Sequence, residues 1–258
     1  EEAVTAVCES DEAENFRLKN NSILSLEYYR RKAPTRLEYM ILSEEELTVR
    51  NVIHRMSKIF QNEKKAELWW KYRVEKEGIC VYLSAKIEEL QIPVQLVLEQ
   101  EKEEPSDPSH EELHPFLEEE RSVEYLHYPM EGILAEHFIR IMRDMELIND
   151  IGSYYILYEL LSKEMNSSRK VTEQIESLAK EQKIPLKKER FEMFEGYQSS
   201  SYMKKKWKSY LKKEKKKTPS FEEVMKVMIA YYRPIWDSLA EGNYYLGDWM
   251  PELMRYLD

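Results

Sequence analysis

Seven residues, 92–98 (IPVQLVL), limit the fold more than any other stretch of the chain. The run is apolar and β-branched, bounded by polar residues, and too short for a self-supporting helix. It therefore reads as a buried strand. Pro93 has no amide hydrogen, which places it at the start of that strand or on a sheet edge. A buried strand needs partners. Residues 68–74 and 78–83 offer a hairpin around a Glu-Lys-Glu-Gly turn, and residues 35–42 offer a further strand. Residues 15–18 read as a short strand that enters a turn at Asn20 and Asn21. Ser22 then caps a helix carrying Ile23, Leu26 and Tyr29. Ser43 followed by Glu46 predicts a capping box and a helix through about Gln61, with Val49, Val52, Ile53, Met56, Ile59 and Phe60 as its buried stripe.

From Tyr128 onward the apolar spacing becomes helical. Pro129, Met130 and Glu131 open a helix bearing Ile133, Leu134, Phe138, Ile141 and Met142. Further helices are expected over 151–161 and 171–180. A last one begins near Ser220 and turns Val224, Val227, Met228 and Tyr231 inward before Pro234. Residues 99–120 are acidic, broken by prolines and poor in anything to bury, so they read as a connector. The expectation is a mixed α/β (α+β) fold, with an α/β domain over residues 1–125 and a helical domain over 126–258.

Composition adds exclusions. A formal net charge of −10 argues against a general nucleic-acid binder, and against DNA as a partner, while leaving room for one local basic face. No run approaches the roughly 18 apolar residues needed to cross a bilayer, and no signal peptide is legible. Cys8 and Cys80 lack metal-ligand spacing, and His110 and His114 stand in the acidic stretch with no cysteine pair nearby, so no zinc site is expected. A cytoplasmic protein is the expectation.

The order of elements around residues 18–42, LKNNSILSLEYYRRKAPTRLEYMIL, resembles the AbiEii/AbiGii toxin family of nucleotidyltransferases. There the corresponding succession reads approximately LKGGTAL…R.T.DIDF. Leu18 and Lys19 lead in, Leu24 and Leu26 lie on the following helix, and Pro34, Thr35 and Arg36 precede the strand. The resemblance continues over residues 128–138, 142–161 and 171–186, and through Trp207 to the stretch 218–236. It implies a nucleotidyltransferase-like mixed sheet with flanking helices plus a helical C-terminal domain. It also implies a glycine pair that cradles phosphate, acids that hold magnesium, and a place in bacterial phage defence or a toxin–antitoxin system.

The positions that carry this chemistry in the family differ here. Asn20, Asn21 and Ser22 stand where Gly-Gly-Thr is expected, and an asparagine side chain obstructs the close backbone approach that glycine permits. Leu37, Glu38 and Tyr39 stand where Asp-x-Asp is expected. Val97 takes the place of the third acid, His137 that of a lysine, and Ser153 and Ile156 those of two further acids. Nucleotidyl transfer needs clustered carboxylates to hold two magnesium ions. The expected function is accordingly a degenerate nucleotidyltransferase, without cofactor, that binds a protein partner or RNA. The alternative is an active nucleotidyltransferase with an unconventional site that uses magnesium and a nucleoside triphosphate to transfer a nucleotide to RNA (tRNA). Strand alternation turns Glu38 away from Leu37 and Tyr39 unless a bulge intervenes. His137 reads either as a general base or as a hydrogen-bonded core residue. The metal position of an inter-domain cleft is expected to be lined by Leu37, Tyr39 and Val97.

The basic run at 204–217 offers a second candidate. Lys204, Lys205, Lys206 and Lys208 would meet phosphates, and Trp207 and Tyr210 would stack on bases. The competing reading is a solvated helix that places Trp207 in the core.

Overall fold

The strand β2 (Thr35–Leu42) lies inside a seven-stranded mixed sheet. Its fellow strands are β1 (Phe16–Leu18), β3 (Leu68–Glu75), β4 (Cys80–Ile87), β5 (Leu90–Glu101), β6 (Ser109–Leu113) and β7 (Val123–His127), in the order β3-β4-β5-β2-β1-β7-β6. The pairs β2–β5 and β1–β7 are parallel and the rest antiparallel. The computed structural model describes residues 1–19, 35–60, 68–75, 79–87, 89–101, 109–115, 121–217 and 219–257, in two compact units, Glu1–Pro129 and Met130–Asp258. Asn20, Asn21 and Ser22, and the helix expected after them, lie outside the described residues.

One face of the sheet is apolar. Phe16 and Leu18, Leu37, Tyr39 and Ile41, Val81 and Leu83, and Val94, Leu96 and Leu98 alternate along their strands into a single core. Among the described residues two helices share that core: α1 (Glu2–Cys8) through Val4 and Val7, and α2 (Val49–Ile59) through Val52, Met56 and Ile59. The start of α2 differs from the expectation. Its cap is Thr48, whose hydroxyl accepts from the Asn51 amide while the Asn51 side chain accepts from the Thr48 amide. Ser43 Oγ instead donates to the Glu45 carbonyl, and Gln100 of β5 holds the turn by accepting from the Leu47 amide and donating to the Ser43 carbonyl. A long-range side chain thus outcompetes the local box.

Three other expectations change. Pro93 is inside β5, an interior strand, where it stands opposite Ser84 of β4; among the described residues its neighbour Val94 is the first to pair with β2, opposite Thr35. The acidic stretch is not only a connector: β5 runs on to Glu101, and residues 109–113 form the edge strand β6. The unit boundary falls after Pro129, because a break at 125 would cut β7, which is held between β1 and β6.

Among the described residues the second unit carries six α-helices: α3 (Met130–Asp144), α4 (Gly152–Leu161), α5 (Ser168–Glu181), α6 (Lys188–Gly196), α7 (Ser201–Lys213) and α8 (Phe221–Ala240). Ser220 and Glu223 form a reciprocal capping box at the start of α8. The helix continues through Pro234 to Ala240. Burial of Tyr231, Tyr232, Ile235 and Trp236 on either side of the proline offsets the lost backbone hydrogen bond. Phe138 stacks on Tyr232 with centroids 3.7 Å apart and meets Phe194 and Trp236 edge-on. The unit is not wholly helical. Three short strands, β8 (Asn166–Ser167), β9 (Asp248–Met250) and β10 (Arg255–Leu257), pair in the order β10-β9-β8 around the buried Trp249. No described helix is long and apolar enough to cross a membrane.

Candidate functional site

Strand alternation sends the residues of β2 to opposite sides of the sheet. Leu37 and Tyr39 are buried in the core, and the Tyr39 ring meets Phe16 edge-on at 5.5 Å. Burial pushes the Tyr39 phenol well above its usual range, with the Cys8 thiol and Tyr125 adding to it. The parallel register pairs Leu37 with Leu96, Glu38 with Val97 and Tyr39 with Leu98. Val97 therefore stands beside Glu38, on the face away from Leu37 and Tyr39. The expected lining of one metal position by Leu37, Tyr39 and Val97 is corrected by this register: a period of two puts Val97 on the other side.

The Glu38 face is polar. Arg36 Nε lies 3.0 Å from Glu38 Oε1, and Lys19 Nζ lies 2.6 Å from Glu99 Oε2. The Lys19 amide donates to the Glu38 carbonyl at 2.7 Å, and its ammonium sits 5.1 Å from the centre of the Tyr128 ring. Arg17, almost wholly buried, stands on the same face through its pairing with Met40. Each of the two carboxylates already has a cation against it. Among the described residues no three His, Cys, Asp or Glu side chains are placed to hold a metal ion. Glu99 and Lys19 were not among the expected site residues. Their signal was the same-face parity of β2 and β5, which requires the register.

In the second unit, His137 and Ser153 do meet. His137 Nδ1 lies 3.0 Å from Ser153 Oγ, which donates to Asp150 Oδ2 at 3.2 Å, and Arg140 pairs with the same Asp150 oxygen at 3.2 Å. A hydroxyl has one proton to give. With that proton on Asp150, His137 Nδ1 is the donor to Ser153. A nucleophilic serine requires the opposite, a base that takes its proton. Ser153 is fully buried, whereas Ile156 is 37% exposed, so the two do not form one surface. The chain His137–Ser153–Asp150–Arg140 ties α3 to the start of α4. Gly152 allows α7 to approach there: an added Cβ would lie 3.0 Å from Asp150 Oδ1 and 3.3 Å from the Tyr210 ring.

The basic run forms α7, and its residues divide by face. Met203, Trp207 and Leu211 are buried. Trp207 donates its indole N–H to the Pro219 carbonyl at 2.8 Å and stacks with Tyr155 and Tyr210, so its ring is unavailable to a base. Tyr210 is half-buried in the same stack. Lys204 pairs with Glu222 at 2.5 Å, and Lys206 donates to the carbonyls of Glu146 and Ile148 at 3.2 and 2.6 Å. Of the expected contact residues, Lys205 and Lys208 are exposed.

A further cluster lies across β6 and β7. His127 Nδ1 is 3.4 Å from Ser109 Oγ and 3.5 Å from Glu111 Oε1, while Tyr125 donates to Glu111 Oε2 at 2.6 Å. Burial lowers the His127 pKa, opposed by the Glu111 charge and by the Lys19 backbone. Serine and glutamate converge on one ring nitrogen, so no relay runs through the imidazole. His110 and His114, the histidines noted in the sequence, are both exposed and pair with Glu124 and Glu112.

No protein-family model matches the chain, and none of the curated proteins matches it in sequence.

Proposed function

We propose that this protein is a degenerate, nucleotidyltransferase-like molecule that works by binding a protein or RNA partner rather than by transferring a nucleotide. One observation carries the reading: at the two strand positions where the resemblance requires metal-binding acids, Leu37 and Tyr39 are built into the core. Neither side chain offers a hard cation a carboxylate. On the resemblance to AbiEii/AbiGii toxins, the proposed setting is bacterial phage defence or a toxin–antitoxin system. The test is incubation of the full chain with each labelled ribonucleoside triphosphate, in magnesium or manganese, with RNA and protein acceptors. The expected result is no transfer.

A second reading has its own observation. Glu38 and Glu99 share the polar face with Lys19 and Arg36, a pairing of acids and cations from which an unconventional transferase site could be assembled. Transfer that disappears in Glu38→Ala, Glu99→Ala or His137→Ala would establish that enzyme and displace the binding reading.

A further inference from the structure

We propose that the outward face of α7 and the turn after it bind the phosphate backbone of a nucleic-acid duplex without reading its sequence. This rests on the binding reading above and widens its RNA partner to a duplex of either nucleic acid. Six lysines, Lys205, Lys208, Lys212, Lys213, Lys215 and Lys217, are exposed along this segment. Lys205, Lys208 and Lys212 recur at three- and four-residue spacing, which makes one stripe about 10 Å long at 1.5 Å per residue. A duplex carries one charge per about 1.7 Å of its axis, so a stripe of this length faces several phosphates at once.

The other lysines of the run show what an internally used cation looks like here. Lys204 has Glu222, Lys206 has two carbonyls, and Lys216 lies 3.2 Å from the centre of the Tyr155 ring. Among the described residues none of the six outward lysines has a carboxylate partner. A solvated helix face ordinarily mixes acids with bases at i,i+4, yet Glu214 is the one acid between Ser201 and Lys217. Six like charges this close repel one another, and a polyanion relieves that repulsion.

The acidic balance of the whole chain does not oppose this. Residues 130–258 hold 22 Lys and Arg against 21 Asp and Glu, whereas residues 1–129 hold 17 against 28. The negative charge belongs to the first unit, which is why an expectation drawn from net charge alone excluded DNA.

Three features select a duplex. Trp207 and Tyr210 stack inward and Tyr202 is the one outward ring of the helix, 52% exposed, so successive unpaired bases find no platform. Met203, Trp207 and Leu211, the apolar side of α7, are buried, so nothing is left to insert into a bilayer. The outward cations are all lysines, with no Arg, Asn or Gln to read base edges.

The experiment titrates the full chain into a labelled 20-base-pair duplex (roughly two helical turns) by fluorescence anisotropy, over a salt series. The variant is Lys205→Gln/Lys208→Gln/Lys212→Gln/Lys213→Gln. The control, of equal charge change, is Lys170→Gln/Lys180→Gln/Lys183→Gln/Lys226→Gln, and melts confirm that each protein is folded. Removing four phosphate contacts should flatten the slope of log affinity against log salt by about 3–4 and weaken binding at least about tenfold. The control should keep the parent slope. Failure to bind the duplex, equal flattening in both variants, tighter binding of the separated strands, or capture by phosphatidylserine vesicles but not by the duplex would each overturn the proposal. None of these outcomes bears on nucleotide transfer, which is measured separately.

Discussion

Glu38 and Val97 stand side by side in the parallel β2–β5 pairing, on the face of the large sheet turned away from Leu37 and Tyr39. That relation separates two groups of residues that the linear pattern would join. The acid of β2 keeps company with Arg36, Lys19 and Glu99, while its two neighbours belong to the core.

Restoring aspartates at the core positions should consequently damage the fold instead of creating a site. Tyr39→Asp is expected to cost more than about 3 kcal/mol in urea unfolding, because an unpaired carboxylate must be buried. Manganese should restore none of it. Tyr39→Phe should lie within about 1 kcal/mol of the parent, since the hydroxyl has no hydrogen-bond partner among the described residues. A stable Tyr39→Asp protein that binds manganese would reverse the assignment of this face to the core.

The hydroxyl of Ser153 links His137 to Asp150 inside the second unit. Ser153→Ala leaves both neighbours without that bond and should lower stability by about 1–3 kcal/mol. Ile156→Ala, at a partly exposed position, should cost less. Equal losses in urea unfolding would show that the serine contributes only its packing.

His127 sets a pH dependence whose sign follows from burial. Burial holds its folded pKa below the ordinary histidine value of 6.5. Between that lowered value and 6.5 the unfolded chain binds more protons than the folded one, so stability falls as the pH drops through this window. Above it the group contributes no pH dependence. Unfolding free energies measured from pH 5 to 8 (the range of histidine titration) should show this decline in the parent and lose part of it in His127→Gln. Parallel curves for the two proteins would place the titration elsewhere.

At the end of α7, Lys215 adopts φ 55°, and the chain closes with Lys216 N donating to Leu211 O at 2.8 Å and Lys215 N to Lys212 O at 3.3 Å. This left-handed position favours glycine, which has no Cβ to crowd the backbone. Lys215→Gly should raise stability by about 0.5–1 kcal/mol, and Lys215→Ala should not. A thermal melt in which alanine stabilises as much as glycine would show that relief of charge, not of strain, is responsible.

Some of this protein was settled by local chemistry. Alternation along residues 35–42, the hairpin over 68–87, the cap at Ser220 with Glu223, and the inward stripe of α8 arise from neighbours a few residues apart, so they are legible in the chain itself. The side of the sheet on which Val97 falls is different, because it depends on the register of β5 against a strand some 60 residues away. Residues 109–113 look like connector until β7 pairs with them, and the helix runs on through Pro234 because the packing of Tyr232 and Trp236 outweighs the missing amide. The same holds for the lysines of α7. Their spacing was visible, but which of them are taken by Glu222, by the carbonyls of Glu146 and Ile148, or by the Tyr155 ring was decided by tertiary packing. Residues within one helical turn or strand determine which elements form, whereas contacts between distant segments determine which side chains remain free to act.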